Sequence, residues 1–237
     1  MTSFTSSPIP SSDETLDTFF NGSLRIFQKK KGYRFSVDAV LLSQFIDLRK
    51  NERVIDLGTG CGIIPLLLSQ TTEAHSFVGV EIQRGLAECA RKNVTLNRLD
   101  HRISILHQDF RELKGTLRSG SFDVVVSNPP YRQYRTGRVN PTLEKAIARH
   151  EITATLEDLI GMASYLLPIK GRCYLIFSAW RTVDLLTLLR SKGLEPKRLQ
   201  FVHPHLEESA KLILIESVKA SGVELKIMEP LILHSTV

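Results

Sequence analysis

A doubly wound, mostly parallel α/β sheet of seven strands is the fold that the sequence predicts. Three observations carry it: short apolar runs alternate with helical stretches, glycines follow the first of those runs directly, and an acidic residue recurs where successive runs end. Strands buried on both faces read as continuous apolar segments, which suits Val54-Ile55-Asp56-Leu57, Phe77 to Glu81, Ile103 to Leu106 and Phe122 to Ser127.

The elements follow in order. Residues 1–16 are rich in Ser, Thr and Pro with little periodic apolar content, which predicts a mobile tail. Residues 17–50 read as a flank or lid: a strand-like stretch at Leu24 to Phe27, a basic run, and Val37, Val40, Leu41, Phe45 and Leu48 at helical spacing. The main domain takes residues 51–237. Its first strand runs through glycines into Ile63 to Leu68, where Pro65 is tolerated near a helix start. Arg84 to Asn97 reads as helix. A polar stretch of roughly 20 residues then interrupts the alternation, and loops of that length are uncommon in compact domains unless they act, so 131–155 is assigned as a substrate loop. A helix near Leu156 to Leu167, a strand at Cys173 to Phe177, a helix near Thr182 to Arg190, and closing strands around Leu199 to Val202 and Lys211 to Ser217 complete the sheet.

Composition bounds the function. With 42% hydrophobic and 24% charged residues, the chain is long enough for one sizeable core. No window holds the roughly 20 apolar residues of a membrane span, and the start lacks a secretory pattern, so a cytoplasmic protein without membrane contact is expected. Cys61, Cys89 and Cys173 form no Cys-x-x-Cys pair, which speaks for reduced thiols over disulfides or zinc. The His203-Pro204-His205 and His150-Glu151 pairs lack a third partner, and no metal is expected. The net charge of +6, from 31 Lys plus Arg against 25 Asp plus Glu, favours a polyanionic partner. Lys29, Lys30, Lys31 and Arg34 gather before the core, and Arg132, Arg135 and Arg138 follow a Pro-Pro pair, with Tyr33, Tyr131 and Tyr134 between them. That interleaving suits phosphates and stacked bases, and Arg34, Arg132, Arg135 and Arg138 are the candidate substrate contacts.

The loop Asp56-Leu57-Gly58-Thr59-Gly60-Cys61-Gly62 follows a strand, at the carboxyl edge where doubly wound sheets bind nucleosides. A dinucleotide fingerprint sets its third glycine three residues beyond the second; Gly58, Gly60 and Gly62 are evenly spaced instead, which argues against NAD. S-adenosylmethionine has no pyrophosphate to cradle. Asp56 and the loop backbone suit its amino-acid end, Glu81 can accept from both ribose hydroxyls, and Asp109 can accept from the adenine amino group, with Phe110 beside it on the same edge.

Asn128-Pro129-Pro130-Tyr131 closes the fourth strand, facing the same edge. An amine conjugated to a ring or carbonyl is a poor nucleophile, because its lone pair is delocalised. Two acceptors holding its two N–H bonds pyramidalise it. The Asn128 side-chain oxygen and the Pro129 carbonyl can be those acceptors, Pro130 fixes the backbone and removes a competing donor, and Tyr131 can stack on a flat base or amide. Catalysis is then positioning and electrostatics, with no strong general base. Methylation of a cytosine carbon would need a cysteine in this loop, and none stands between Cys89 and Cys173.

Over most of its length the chain resembles the tRNA1(Val) adenine N6-methyltransferase family, within the Rossmann-like class I methyltransferases. The resemblance rests on Phe35-Ser36-Val37-Asp38-Ala39-Val40-Leu41-Leu42, Asp56 to Gly62, Asn128 to Tyr131, Ala148-Arg149-His150-Glu151 and Glu229-Pro230-Leu231-Ile232-Leu233-His234. It implies methylation of the adenine beside the anticodon of a tRNA, in a monomer or weak dimer, and sets Asp38 near the cofactor. Glutamine N5-methyltransferases of release factors share Asn-Pro-Pro-Tyr but carry a longer helical domain before the glycine loop, whereas only about fifty residues, basic as a segment, precede it here. Guanine N2-methyltransferases of ribosomal RNA commonly carry a duplicated domain for which this chain has no room. A non-catalytic RNA-binding protein would not need Asn128 and Asp56.

Overall fold

The computed structural model describes residues 12–30, 36–74, 76–129 and 154–234. An antiparallel hairpin leads, β1 (Glu14–Phe19) and β2 (Leu24–Lys29), registered from Glu14 opposite Lys29 to Phe19 opposite Leu24. Its turn holds Asn21 at φ 54° and Gly22 at φ 88°, the left-handed backbone that Asn and Gly adopt at least cost. Residues 14–16 are therefore strand, and the predicted tail reaches too far: the polar side chains of Glu14 and Thr15 hid a strand whose value lies in its pairing. Helix α1 (Val37–Phe45) ends three residues earlier than its spacing predicts.

The alternation then runs β3 (Arg53–Leu57), α2 (Ile63–Thr71), β4 (Ser76–Glu81), α3 (Arg84–Leu96), β5 (Ile103–His107), β6 (Val124–Ser127), α4 (Leu156–Leu166), β7 (Arg172–Ser178), α5 (Thr182–Ser191), β8 (Leu194–His203) and β9 (Leu212–Lys219). Two short strands follow, β10 (Lys226–Ile227) and β11 (Leu231–Ile232). The sheet order is β10-β8-β9-β7-β6-β3-β4-β5, with β11 also on β8. β9 is antiparallel to both neighbours; the pairings among β3 to β7 are parallel. The seven expected strands are thus β3 to β9. β8 is longer than expected because Pro196, at a register shift between Pro196 and Arg198, disguised its first half.

Helices on both faces give the sheet two cores. Leu24, Ile26, Phe27, Leu42, Leu66 and Val94 build the first, with β2, α1, α2 and α3, while Ile160, Leu166, Phe177 and Leu185 build the second with α4 and α5. α4 starts on a capping box, in which the Asp158 N–H donates to the Thr155 hydroxyl at 3.1 Å and the Thr155 N–H donates to the Asp158 carboxylate at 2.8 Å. Among the described residues β2 pairs with β1 alone, and Asn93 of α3 and Asn97, which caps that helix, supply further bonds to its backbone. Phe27 N–H donates to Asn93 Oδ1 at 2.7 Å, Asn93 Nδ2 donates back to Phe27 O at 3.0 Å, and Asn97 repeats the exchange with Arg25 at 2.9 and 2.7 Å. The flank is therefore bolted to the main domain.

Ion pairs brace the sheet away from its carboxyl edge, Arg172 with Glu52 and Arg198 with Glu216 at 2.9 Å. At the carboxyl edge the order reverses around β3, flanked by β4 and β6, the switch point at which doubly wound sheets open a crevice.

Candidate active site

The glycine loop leaves β3 and folds back over the end of β4. Gly58 and Thr59 both donate their N–H groups to Val80 O at 2.9 Å, and Gly62 N–H donates to Thr59 O at 2.9 Å. Gly58, Gly60 and Gly62 hold φ of 81°, 58° and 83°, so each occupies backbone that a side chain would strain. The close approach also needs a glycine on β4: a Cβ at Gly79 would stand 2.8 Å from Thr59 Cγ2.

Asp56 lies within β3, 1% exposed, and neither of its carboxylate oxygens has a hydrogen-bond partner among the described residues. Burial pushes its pKa up to about 7; the Thr59 hydroxyl counters in part, although no hydrogen bond of ordinary geometry joins the two, and the charge of Glu81 adds to the rise. An orphaned carboxylate in a core is costly unless a ligand completes it. It points to a cation.

Glu81 ends β4 and bridges the loop to the start of α3. Its Oε2 accepts from Gly60 N–H at 2.9 Å and its Oε1 from Gln83 N–H at 2.8 Å. Burial raises its pKa, and those N–H groups hold the rise back. Each oxygen keeps a further lone pair, so a diol can still be gripped. Asp109 stands two residues past β5 and caps the following turn, Phe110–Gly115, through Arg111 N–H at 2.9 Å. Arg111 Nε also donates to both carboxylate oxygens at 3.0 Å, and these bonds hold the Asp109 pKa below the usual carboxylate range. The three acids thus stand on or just past three adjacent strands, β3, β4 and β5.

Asn128 and Pro129 follow β6, half-buried, on the neighbouring strand to β3. Sequence reading missed the group that fixes them. The Ser127 hydroxyl donates to Leu57 O at 2.6 Å, joining the last residue of β6 to the last of β3. A serine closing an otherwise aliphatic, fully buried strand was the available signal. Asp38 is half-buried in the first turn of α1, and Phe110 packs partly buried against the second core. Pro130, Tyr131, Arg34, Arg132, Arg135 and Arg138, with most of the 131–155 loop, lie outside the described residues.

These groups fit S-adenosylmethionine. The orphaned Asp56 suits the ammonium of its amino-acid end, the remaining lone pairs of Glu81 suit a ribose diol, and the glycine loop leaves backbone free of side chains beside them. Among the described residues no three His, Cys, Asp or Glu side chains gather to hold a metal ion, and no helix is long and apolar enough to cross a membrane.

A tRNA1(Val) (adenine(37)-N6)-methyltransferase of Bacteroides fragilis is 28% identical over 211 residues, 88% of either chain. One of the same name from Porphyromonas gingivalis is 35% identical over 167 residues, 70% of this chain and 65% of its own. Among solved structures, a predicted O-methyltransferase of Agrobacterium tumefaciens superposes with a TM-score of 0.67 at 24% identity, covering 84% of this chain and 88% of its own, a likeness of fold. The model of the methyltransferase small domain matches residues 35–178, from just before α1 to the end of β7, and the chain belongs to that family.

Proposed function

We propose that the protein transfers a methyl group from S-adenosylmethionine to the N6 amino nitrogen of an adenine in tRNA, in the cytoplasm, the adenine being the one at position 37 that the relatives' names specify. The observation that carries this reading is the Ser127–Leu57 hydrogen bond, which holds Asn128 and Pro129 beside the loop that suits the cofactor. When bound, the cofactor supplies an electrophilic methyl group. The Asn128 side-chain oxygen and the Pro129 carbonyl accept the two N–H bonds of the adenine amine, which draws the nitrogen lone pair out of conjugation with the ring and aims it. The proton becomes acidic only as the nitrogen takes on positive charge, so the chain needs no strong base, and its part is orientation and electrostatic stabilisation. Tyr131 stacks on the base, and Arg34, Arg132, Arg135 and Arg138 hold phosphates.

Incubation with labelled cofactor and, separately, total tRNA, ribosomal RNA or a peptide release factor, followed by nucleoside and amino-acid analysis, tests the reading. Label in N6-methyladenosine from tRNA is expected. Label on a guanine or a glutamine overturns it.

A further inference from the structure

Trp180 is the chain's single tryptophan and it is 75% exposed. A side chain of that size left in water adds nothing to the core and keeps a broad, flat π-face open to a partner. The backbone that carries it is tied down. The turn Ala179–Arg181 is fixed by Ala179 N–H donating to Lys211 O at 3.0 Å and by the Thr182 hydroxyl donating to Ala179 O at 2.6 Å. The Arg181 guanidinium carbon sits 5.1 Å from the Phe177 ring centroid and 5.9 Å from that of Trp180. Its side chain is only 12% exposed, and its Nε donates to Asp184 at 3.3 Å, so the cation beside the indole is itself pinned.

The position matters as much as the exposure. β7 lies beside β6 in parallel register, with Ser127 opposite Leu175. Strands in a ladder are about 4.8 Å apart. The segment that carries Trp180 and the segment that carries Asn128 and Pro129 therefore leave the same edge of the sheet from adjacent strands, β7 running three residues, about 10 Å, further than β6 before it turns. Lys211 enters β9 beside that turn, its side chain 62% exposed and only loosely paired, at 3.8 Å, with Glu208. An open aromatic face with Arg181 against it and an exposed lysine near its base matches a nucleotide, whose base offers a π-face and whose backbone is anionic. It does not match an apolar protein surface, which would strip water from Lys211 and return no charge to it.

We propose that Trp180 is a stacking platform for an unpaired base of the RNA substrate, next to the base that receives the methyl group, an inference that rests on tRNA being the substrate. The lone tryptophan makes the test direct. Fluorescence of the full chain, titrated with tRNA in the presence of S-adenosylhomocysteine, should be quenched along the same isotherm as filter binding. Trp180→Ala should weaken tRNA affinity by about 5- to 150-fold, the range of one lost base stack, and Trp180→Phe should restore most of it. Thermal midpoint and calorimetric affinity for the cofactor should stay level in both variants, which separates lost stacking from lost folding. If the alanine variant does not fold, the quench in the unaltered chain and the phenylalanine variant decide the matter. Binding of tRNA with fluorescence unmoved and Trp180→Ala at full affinity overturns the proposal and leaves the tRNA reading standing. Failure to bind tRNA, with the quench given by a release factor, overturns both.

Discussion

Ser127 donates its hydroxyl to the main-chain carbonyl of Leu57 across 2.6 Å, so the strand that presents Asn128 and the strand that feeds the glycine loop are tied at their last residues. The ladder between β3 and β6 is thereby closed at its carboxyl end, just where Asn128 and the glycine loop depart. Reacting groups misplaced by about 1 Å can cost roughly 10²-fold in rate, which makes such a tie worth a buried polar group.

Asn128→Ala should lower the single-turnover rate of methyl transfer by about 10²- to 10³-fold, the usual effect of removing one positioned electrostatic partner. Cofactor affinity should hardly change, because Asn128 is assigned to the amine. Ser127→Ala should produce a smaller fall in the same rate, with about 1 kcal/mol lost from stability in urea. Near-normal turnover in Asn128→Ala would reduce the Asn-Pro-Pro segment to a turn.

Asp56 should make cofactor binding pH-dependent. Its pKa of about 7 lies above the ordinary 3.8 that the unfolded chain presents, so the folded state holds this proton more tightly. The group's contribution to stability is greatest below about pH 4 and is lost as pH rises through 4 to 7. Asp56→Asn, which cannot ionise, should therefore melt higher than the unaltered protein at about pH 8, with the gap shrinking as pH falls from 7 towards 4. Ligand binding has the opposite slope: an ammonium needs the carboxylate, so affinity for S-adenosylmethionine should rise up to about pH 7 and fall again as the ligand's α-amino group loses its proton near about pH 8. Calorimetry in buffers of different ionisation enthalpy should find close to one proton released at about pH 6 and a net uptake at about pH 8, where the ligand's amine must gain one. A pH-independent affinity would remove Asp56 from the ligand's amino-acid end.

Asn93 is fully buried and serves three main-chain groups: Phe27 N–H, Phe27 O and, at 3.0 Å, Cys61 O of the glycine loop. Asn93→Ala leaves a buried N–H and two carbonyls without this partner, at roughly 1 to 3 kcal/mol for each unsatisfied group. A loss of about 3 kcal/mol in urea unfolding is expected, together with weaker cofactor binding, since the same amide steadies both the hairpin and the loop. A variant as stable as the unaltered chain would show that β2 docks through Leu24, Ile26 and Phe27 alone.

What could be read beforehand follows from what each element depends on. β3, β4, β6 and β7 are largely buried on both faces, and such burial writes itself into sequence as an apolar run, so their order and limits were visible to within a residue or two; β5, at the sheet's edge, was marked by Ile103, Ile105 and Leu106. The hairpin depends on pairing instead, and its one clear sign, Asn21-Gly22, passed unread between strands of mixed polarity. The acids at the strand ends were legible as positions. Their environments were not: that Glu81 already accepts from Gly60 and Gln83, that Arg111 engages Asp109, and that Asp56 is left without a partner depend on backbone directions and distances that residue types do not encode.

The last expectation concerns the basic flank. Lys29 closes β2, and its Nζ stands 3.3 Å from where a side chain at Gly85 would begin, in the first turn of α3, four residues past Glu81. The run Lys29, Lys30, Lys31 and Arg34 therefore starts beside the edge that suits the cofactor, and Arg132, Arg135 and Arg138 follow Asn128 in sequence. If these side chains neutralise phosphates, tRNA affinity should fall with salt at a log–log slope of roughly −0.7 to −0.9 for each contact. Replacing Arg132 and Arg135 together by alanine should flatten that slope by about one to two, and replacing Lys30 and Lys31 should do the same, while cofactor affinity stays level. Additive flattening when both pairs are changed would mean one continuous surface on one ligand. A slope that neither pair moves would place the phosphates elsewhere, and an affinity indifferent to salt would favour a protein substrate.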